Sequence, residues 1–129
     1  MSSHENFAKV APFSNYDFHP IILVHYSSGH KYPTKNICVD VNYIYSAGDT
    51  TIRIWDKTAL KEIVTLAAHT HFIKCIYVDD EFLYSAGEDG MVHVWDKASF
   101  TEIATLPHKR TVNSVYADTD HLYSAVMSR

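Results

Sequence analysis

The sequence predicts an all-β chain built from four-stranded antiparallel sheets that recur about every 40 residues. Three observations carry this. First, "YSAGDTTIRIWD" (45–56) is answered by "YSAGEDGMVHVWD" (84–96), and "YSA" returns at 123–125. Second, the spacing holds along the chain. Tyr45, Tyr84 and Tyr123 lie 39 residues apart, and so do His30, His69 and His108. "KEIVTL" (61–66) matches "TEIATL" (101–106), and "IWDK" (54–57) matches "VWDK" (94–97), at a shift of 40. Third, apolar residues alternate or run in short β-branched stretches between Asp/Gly turn signals, without the i, i+3, i+4 spacing of a helix.

One copy justifies its elements in order. "IKCIYV" (73–78) is apolar and β-branched, and "DDE" (79–81) ends it. "FLYSA" (82–86) follows, then "GEDG" (87–90), a Gly/Asp turn. "MVHVWD" (91–96) alternates by face, "KAS" breaks it, and "EIATL" (102–106) closes the unit. Residues 36–66 form an equivalent unit. The copies differ in length only where "GDTT" becomes "GEDGM", which marks a loop. Two further strands are expected near 112–116 and 121–125, and two outer ones in "PIILVHY" and, in degenerate form, "PFSNYD" (12–17). Four antiparallel strands in a repeat of this length are the signature of a propeller blade.

The bulk properties bound the function. At 129 residues with 47% apolar content the chain can pack a core, and disorder is not expected. A net charge of −4 argues against a strong binder of the phosphate backbone. Cys38 and Cys75 are too few for a disulfide framework and read as small buried residues in a reducing compartment. No signal peptide or membrane-spanning run is visible, so a soluble protein of the cytoplasm, with the nucleus as alternative, is expected.

The chain resembles the WD-repeat (β-transducin repeat) family. The resemblance rests on "GH" at 29–30, "WD" at 55–56 and 95–96, and "SAGEDG" at 85–90, and it covers residues 20–129. It implies a partial β-propeller of two complete repeats with incomplete ones at both ends. The repeats run over about 30–68, 69–107 and 108–129, after an N-terminal segment at 1–19. It also implies a hydrogen-bonded Asp, His, Ser and Trp set within each blade. His69, Ser85, Asp89 and Trp95 match best. His30, Ser46, Asp49 and Trp55 form the first copy, with Asp49 displaced by the shorter turn, and the third keeps His108 and Ser124. Indole donates only, carboxylate accepts only, and imidazole and hydroxyl do both, so such a chain can satisfy every buried polar group.

Chemistry reads poorly from the same residues. A Ser–His–Asp active site is normally single, whereas these residues recur, so no catalytic residue is assigned. His69-x-His71 suggests a metal, but Tyr32 and Arg110 occupy the positions equivalent to His71, and no Cys or carboxylate cluster stands at ligand spacing. No cofactor is expected. "GEDG" reads as a turn, His93 as facing solvent or the next blade, and Asp56 and Asp96 as bonded to backbone at the strand exits.

Positions that differ between copies within one loop are left for function. The resemblance places the loop after each His, and the turns at 49–51 and 88–90, on one face that binds partners. Lys31, Tyr32, His71, Phe72, Glu88, Lys109 and Arg110 are therefore the expected contacts with other proteins. A non-enzymatic scaffold for protein–protein contact is the leading reading. One alternative is a repeat segment that positions a catalytic domain within a larger enzyme or regulator. Another is RNA or DNA binding through Lys31, Lys35, Lys74, Lys109 and Arg110, which the acidic balance opposes. Three repeats' worth of strands are too few to close a propeller of four to eight blades. Either the two ends are complementary halves of one blade, so that two chains make six, or this is a fragment of a longer propeller. The ending "YSAVMSR", which stops within a hairpin, favours the fragment.

Overall fold

The structure, a computed structural model, describes residues 8–11, 21–24 and 36–126. All regular elements among them are strands. β1 (Ala8–Ala11) and β2 (Ile21–Val24) form a two-stranded antiparallel sheet. β3 (Asn36–Val39), β4 (Tyr43–Ala47), β5 (Thr51–Asp56) and β6 (Lys61–Ala67) form a four-stranded antiparallel sheet in sequence order. β7 (Ile73–Val78), β8 (Phe82–Gly87), β9 (Met91–Asp96) and β10 (Thr101–Pro107) repeat it. β11 (Val112–Ala117) and β12 (Leu122–Val126) form a last two-stranded sheet. The expected strand at 12–17 lies outside the described residues; the strand that pairs with β2 is β1.

The sheets stack face to face. Tyr45, Ala47, Ile52 and Ile54 of the first four-stranded sheet pack on Ile76, Leu83 and Trp95 of the second. Tyr84, Ala86, Val92 and Val94 on the other face of the second sheet pack on Val112, Val115 and Ala117 of β11. The alternation of each strand thus feeds two interfaces, and both faces of a middle sheet are apolar. Phe100, held at a positive φ of 56°, reaches across to stack edge-on against Tyr43 at 5.4 Å.

The "YSA" tyrosines answer to a second repeated residue. Asp40, Asp79 and Asp118 each open the turn before their tyrosine. One carboxylate oxygen accepts two turn amides, and the other accepts the phenol of Tyr45 (2.6 Å), Tyr84 (2.8 Å) or Tyr123 (2.8 Å). Lys97 joins two sheets at this end, with Nζ 2.7 Å from Asp40 and 2.6 Å from the Asp79 carbonyl oxygen. Burial pushes the Asp40 carboxyl up, but the bonds from Lys97, Tyr45 and the Tyr43 and Asn42 amides outweigh it and hold it at about 2. Asp56 and Asp96 accept amides of the turns that follow them, at Thr58 and Ala59 and at Ser99.

Both cysteines are free thiols and half-buried. Burial, with Cys75 and Asp40 nearby, pushes Cys38 up to about 12, which keeps it a protonated thiol near neutral pH.

Candidate functional site

At the end of the sheets opposite Asp40 and Asp79, the structure brings His69, Ser85, Asp89 and Trp95 into one hydrogen-bonded line. His69 precedes β7, Ser85 stands on β8, Asp89 lies in the β8–β9 turn and Trp95 on β9. The Trp95 indole donates to Ser85 Oγ at 3.2 Å. Ser85 Oγ lies 2.9 Å from His69 Nε2, and His69 Nδ1 lies 2.9 Å from both Asp89 oxygens. With Nδ1 protonated and Nε2 accepting from the serine, every group in the line is satisfied by a neutral imidazole. Burial lowers the His69 pKa, against the opposing pull of Asp89. For Asp89, burial pushes upward, but His69 and the Thr70 and Met91 amides outweigh it and hold the carboxylate below its ordinary range.

In the first sheet Trp55 donates to Ser46 at 3.0 Å, and both residues are buried. Asp49 is buried and accepts from the Thr51 amide and hydroxyl, as Asp89 accepts from Met91. The length change between the copies is therefore Glu88, which projects from the turn ahead of Asp89, and Asp49 keeps the position of Asp89. His30, Lys31, Tyr32 and Lys35 lie outside the described residues. In the third copy His108 Nε2 meets Ser124 Oγ at 3.0 Å, with His108 half-buried and Ser124 exposed.

Sequence reading missed His93. It does not face solvent or the next blade. Its ring stands edge-on to His69 with centroids 4.5 Å apart, and Nδ1 lies 2.6 Å from Glu102 on the neighbouring strand. The signal was present, because Arg53 and Glu62, the residues 40 positions earlier, make the same cross-strand pair at 2.7 Å. His69, Asp89 and His93 are also the group among the described residues that could hold a metal ion. Within the trio, His69 and Asp89 are bonded to each other, and His93 is bonded to Glu102. His71 turns away from it, exposed and bonded to Thr70.

Glycines let the loops close on this line. At Gly87 an added Cβ would meet the Phe72 carbonyl oxygen at 2.7 Å, where the Glu88 amide docks. Gly90 has φ +78°, and its added Cβ would meet the His108 carbonyl oxygen at 2.7 Å. Its own carbonyl accepts the His108 amide at 2.7 Å, clamping the turn of one sheet to the entry of the next. Gly90→Ala is expected to cost about 1–3 kcal/mol, the penalty of a left-handed non-glycine residue. Urea unfolding checks it, and an unchanged midpoint would mean that the clamp is slack.

The loops so held place Glu88, Lys109, Arg110 and Thr111 around one shallow depression of about 360 Å³. His71, Glu88, Lys109 and Arg110 are exposed, and Phe72 is half-buried.

The family model described as "WD domain, G-beta repeat" matches residues 22–56 and 60–96, more than half of the chain. The chain belongs to the WD-repeat family. Its WD repeats are similar to solved propellers. The RRP9 WD40 repeats match with a TM-score of 0.71 at 20% identity, over 82% of this chain and 34% of that one. The Myceliophteria thermophila Cps50 (Swd1) β-propeller domain matches with a TM-score of 0.67 at 17% identity, over 73% of this chain and 33% of that one. Likeness at these identities establishes the fold: a partial β-propeller, spanning about a third of each solved relative. No curated protein matches the chain. No helix among the described residues is long and apolar enough to cross a membrane.

Proposed function

We propose that this WD-repeat segment is a non-enzymatic scaffold that presents its His-loop face to other proteins. The observation that carries the reading is a division of labour among polar residues. The groups that could do chemistry are buried and bonded to one another, while His71, Glu88, Lys109 and Arg110 stand exposed on loops clamped to the sheets. Ser85 is the clearest case. Its hydroxyl is 0% exposed and already engaged by Trp95 and His69, so it is not presented to a substrate as a nucleophile. The depression between Glu88, Lys109 and Arg110 offers both signs of charge side by side. That suits a polar peptide segment better than a uniformly anionic phosphate backbone. Rigid display also reduces the ordering entropy lost on binding.

Arg110→Ala and Glu88→Ala are expected to leave stability within about 0.5 kcal/mol of the parent, as exposed positions do. Both should reduce capture of partner proteins from a cell extract by the immobilised chain, compared by quantitative mass spectrometry. Identical captured sets for parent and variants, at equal folding, would remove this face from the function.

A further inference from the structure

The two complete sheets differ at one cross-strand pair in a way that changes its chemistry. Arg53 and Glu62 pair between β5 and β6, and His93 and Glu102 take their places between β9 and β10. A guanidinium only donates, whereas an imidazole can also offer a lone pair. The His93 ring stands edge-on to His69, with centroids 4.5 Å apart. One ligating atom each of His69, Asp89 and His93 lies within 4.8 Å of the other two.

The surroundings suit an ion. The side chains of His69, Asp89 and His93 are only 0%, 6% and 12% exposed. Glu102 Oε2 lies 2.6 Å from His93 Nδ1. A neutral His93 that donates from Nδ1 keeps its lone pair on Nε2, which has no hydrogen-bond partner among the described residues. A carboxylate set behind an imidazole in this way fixes the tautomer and ring of a metal-binding histidine and raises its basicity. His69 Nδ1 and the Asp89 oxygens are 2.9 Å apart. Donor atoms around a tetrahedral zinc ion stand about 3.3 Å apart, given bonds of about 2.0–2.1 Å. An ion therefore fits in place of the proton that His69 and Asp89 share, with a small opening of that pair.

We propose that His69 Nδ1, Asp89 and His93 Nε2 bind one divalent ion of the zinc class, with water completing its coordination and Glu102 positioning His93. His93, the most exposed of the three, turns its ring to close the remaining distance. Two imidazoles with one carboxylate suit Zn2+ better than Ca2+ or Mg2+, which take oxygen ligands. On binding, the His69 proton passes from Nδ1 to Nε2 and is donated to Ser85 Oγ. The two lone pairs of that hydroxyl then accept His69 and the Trp95 indole together. The ion ties the segment before β7, the β8–β9 turn and β9 to one point, and Glu102 adds β10. The first sheet has no such option at this position, because Arg53 stands where His93 does. None of the three ligands is among the exposed contact residues His71, Glu88, Lys109 and Arg110.

Calorimetric titration of Zn2+ into the chelator-stripped 129-residue chain tests it. The expected result is one ion bound per chain at micromolar Zn2+, with a raised thermal unfolding midpoint. Co2+ in its place should give the strong visible absorption of a tetrahedral centre. His93→Arg introduces the residue type of the first sheet, which pairs there with a glutamate. It should fold like the parent and lose the ion. Glu102→Gln should weaken binding about 10–100-fold. His71→Gln should bind like the parent. Far-ultraviolet circular dichroism reads the folding of each variant, and if His93→Arg does not fold, His93→Gln carries the same test. A parent chain that takes up no Zn2+ overturns the proposal. Undiminished uptake by folded His93→Arg, or loss of uptake in His71→Gln, overturns it equally and assigns the ion to other histidines.

Discussion

Trp55→Ala is expected to lower the free energy of unfolding by about 3–5 kcal/mol, the range for emptying a buried aromatic site. Trp55 is 1% exposed on β5, within the first four-stranded sheet. Its indole also donates to Ser46 at 3.0 Å. Against a typical stability of about 5–15 kcal/mol, a loss of this size removes a large share of the folded population at moderate temperature. Trp55→Phe separates the two contributions. It keeps most of the apolar volume and loses the N–H donor, so it should cost about 1–2 kcal/mol. Urea unfolding followed by far-ultraviolet circular dichroism, at one chain concentration, measures both. A Trp55→Ala loss below about 1 kcal/mol would mean that the site collapses freely or is not packed as described.

His69→Ala should cost about 1–3 kcal/mol, because it breaks the line in the middle and leaves Asp89 and Ser85 each short of a partner. The two neighbours are not stranded completely, since Asp89 keeps the Thr70 and Met91 amides and Ser85 keeps Trp95. That places the loss below the tryptophan cavity. The distinguishing signature is the response to pH. The His69 pKa is lowered in the folded state, chiefly by burial, from 6.5. The unfolded chain therefore takes up this proton first. The contribution is fully present above about pH 6.5 and is lost as pH falls below it, with a slope of at most about 1.4 kcal/mol per pH unit. Asp40, Asp79 and Asp89 are lowered too, but from 3.8, so their contributions hold above about pH 4 and are lost only as pH falls further. Between about pH 6.5 and 4.5 the parent should lose stability where His69→Gln does not. Parallel slopes in that window would show that His69 is not buried as a neutral ring.

Much of the line is legible in the sequence. Residue chemistry selects which side chains can donate and accept in turn, and a constant spacing shows that the same set is built more than once. Asp49 was harder, because a one-residue change in turn length blurs the register. The Asp49 bond to the Thr51 amide resolves it. His93 was misread because alternation along a strand tells which side a residue takes and not what lies there. Its neighbours, His69 and Glu102, come from a loop and another strand. The Asp40, Asp79 and Asp118 repeat stood in plain view at 39-residue spacing, yet nothing local linked each to a tyrosine five residues on.

By itself the sequence determined the strands, the turns and the period, because β-branched alternation and Asp/Gly turns act over a few neighbouring residues. Only the tertiary structure decided which apolar faces are covered. "YSA" is buried at 45–47 and at 84–86 and open at 123–125 with the same three residues. The cause lies outside the triplet. A sheet face is removed from water by the sheet stacked on it, and that sheet is supplied by residues a whole repeat away.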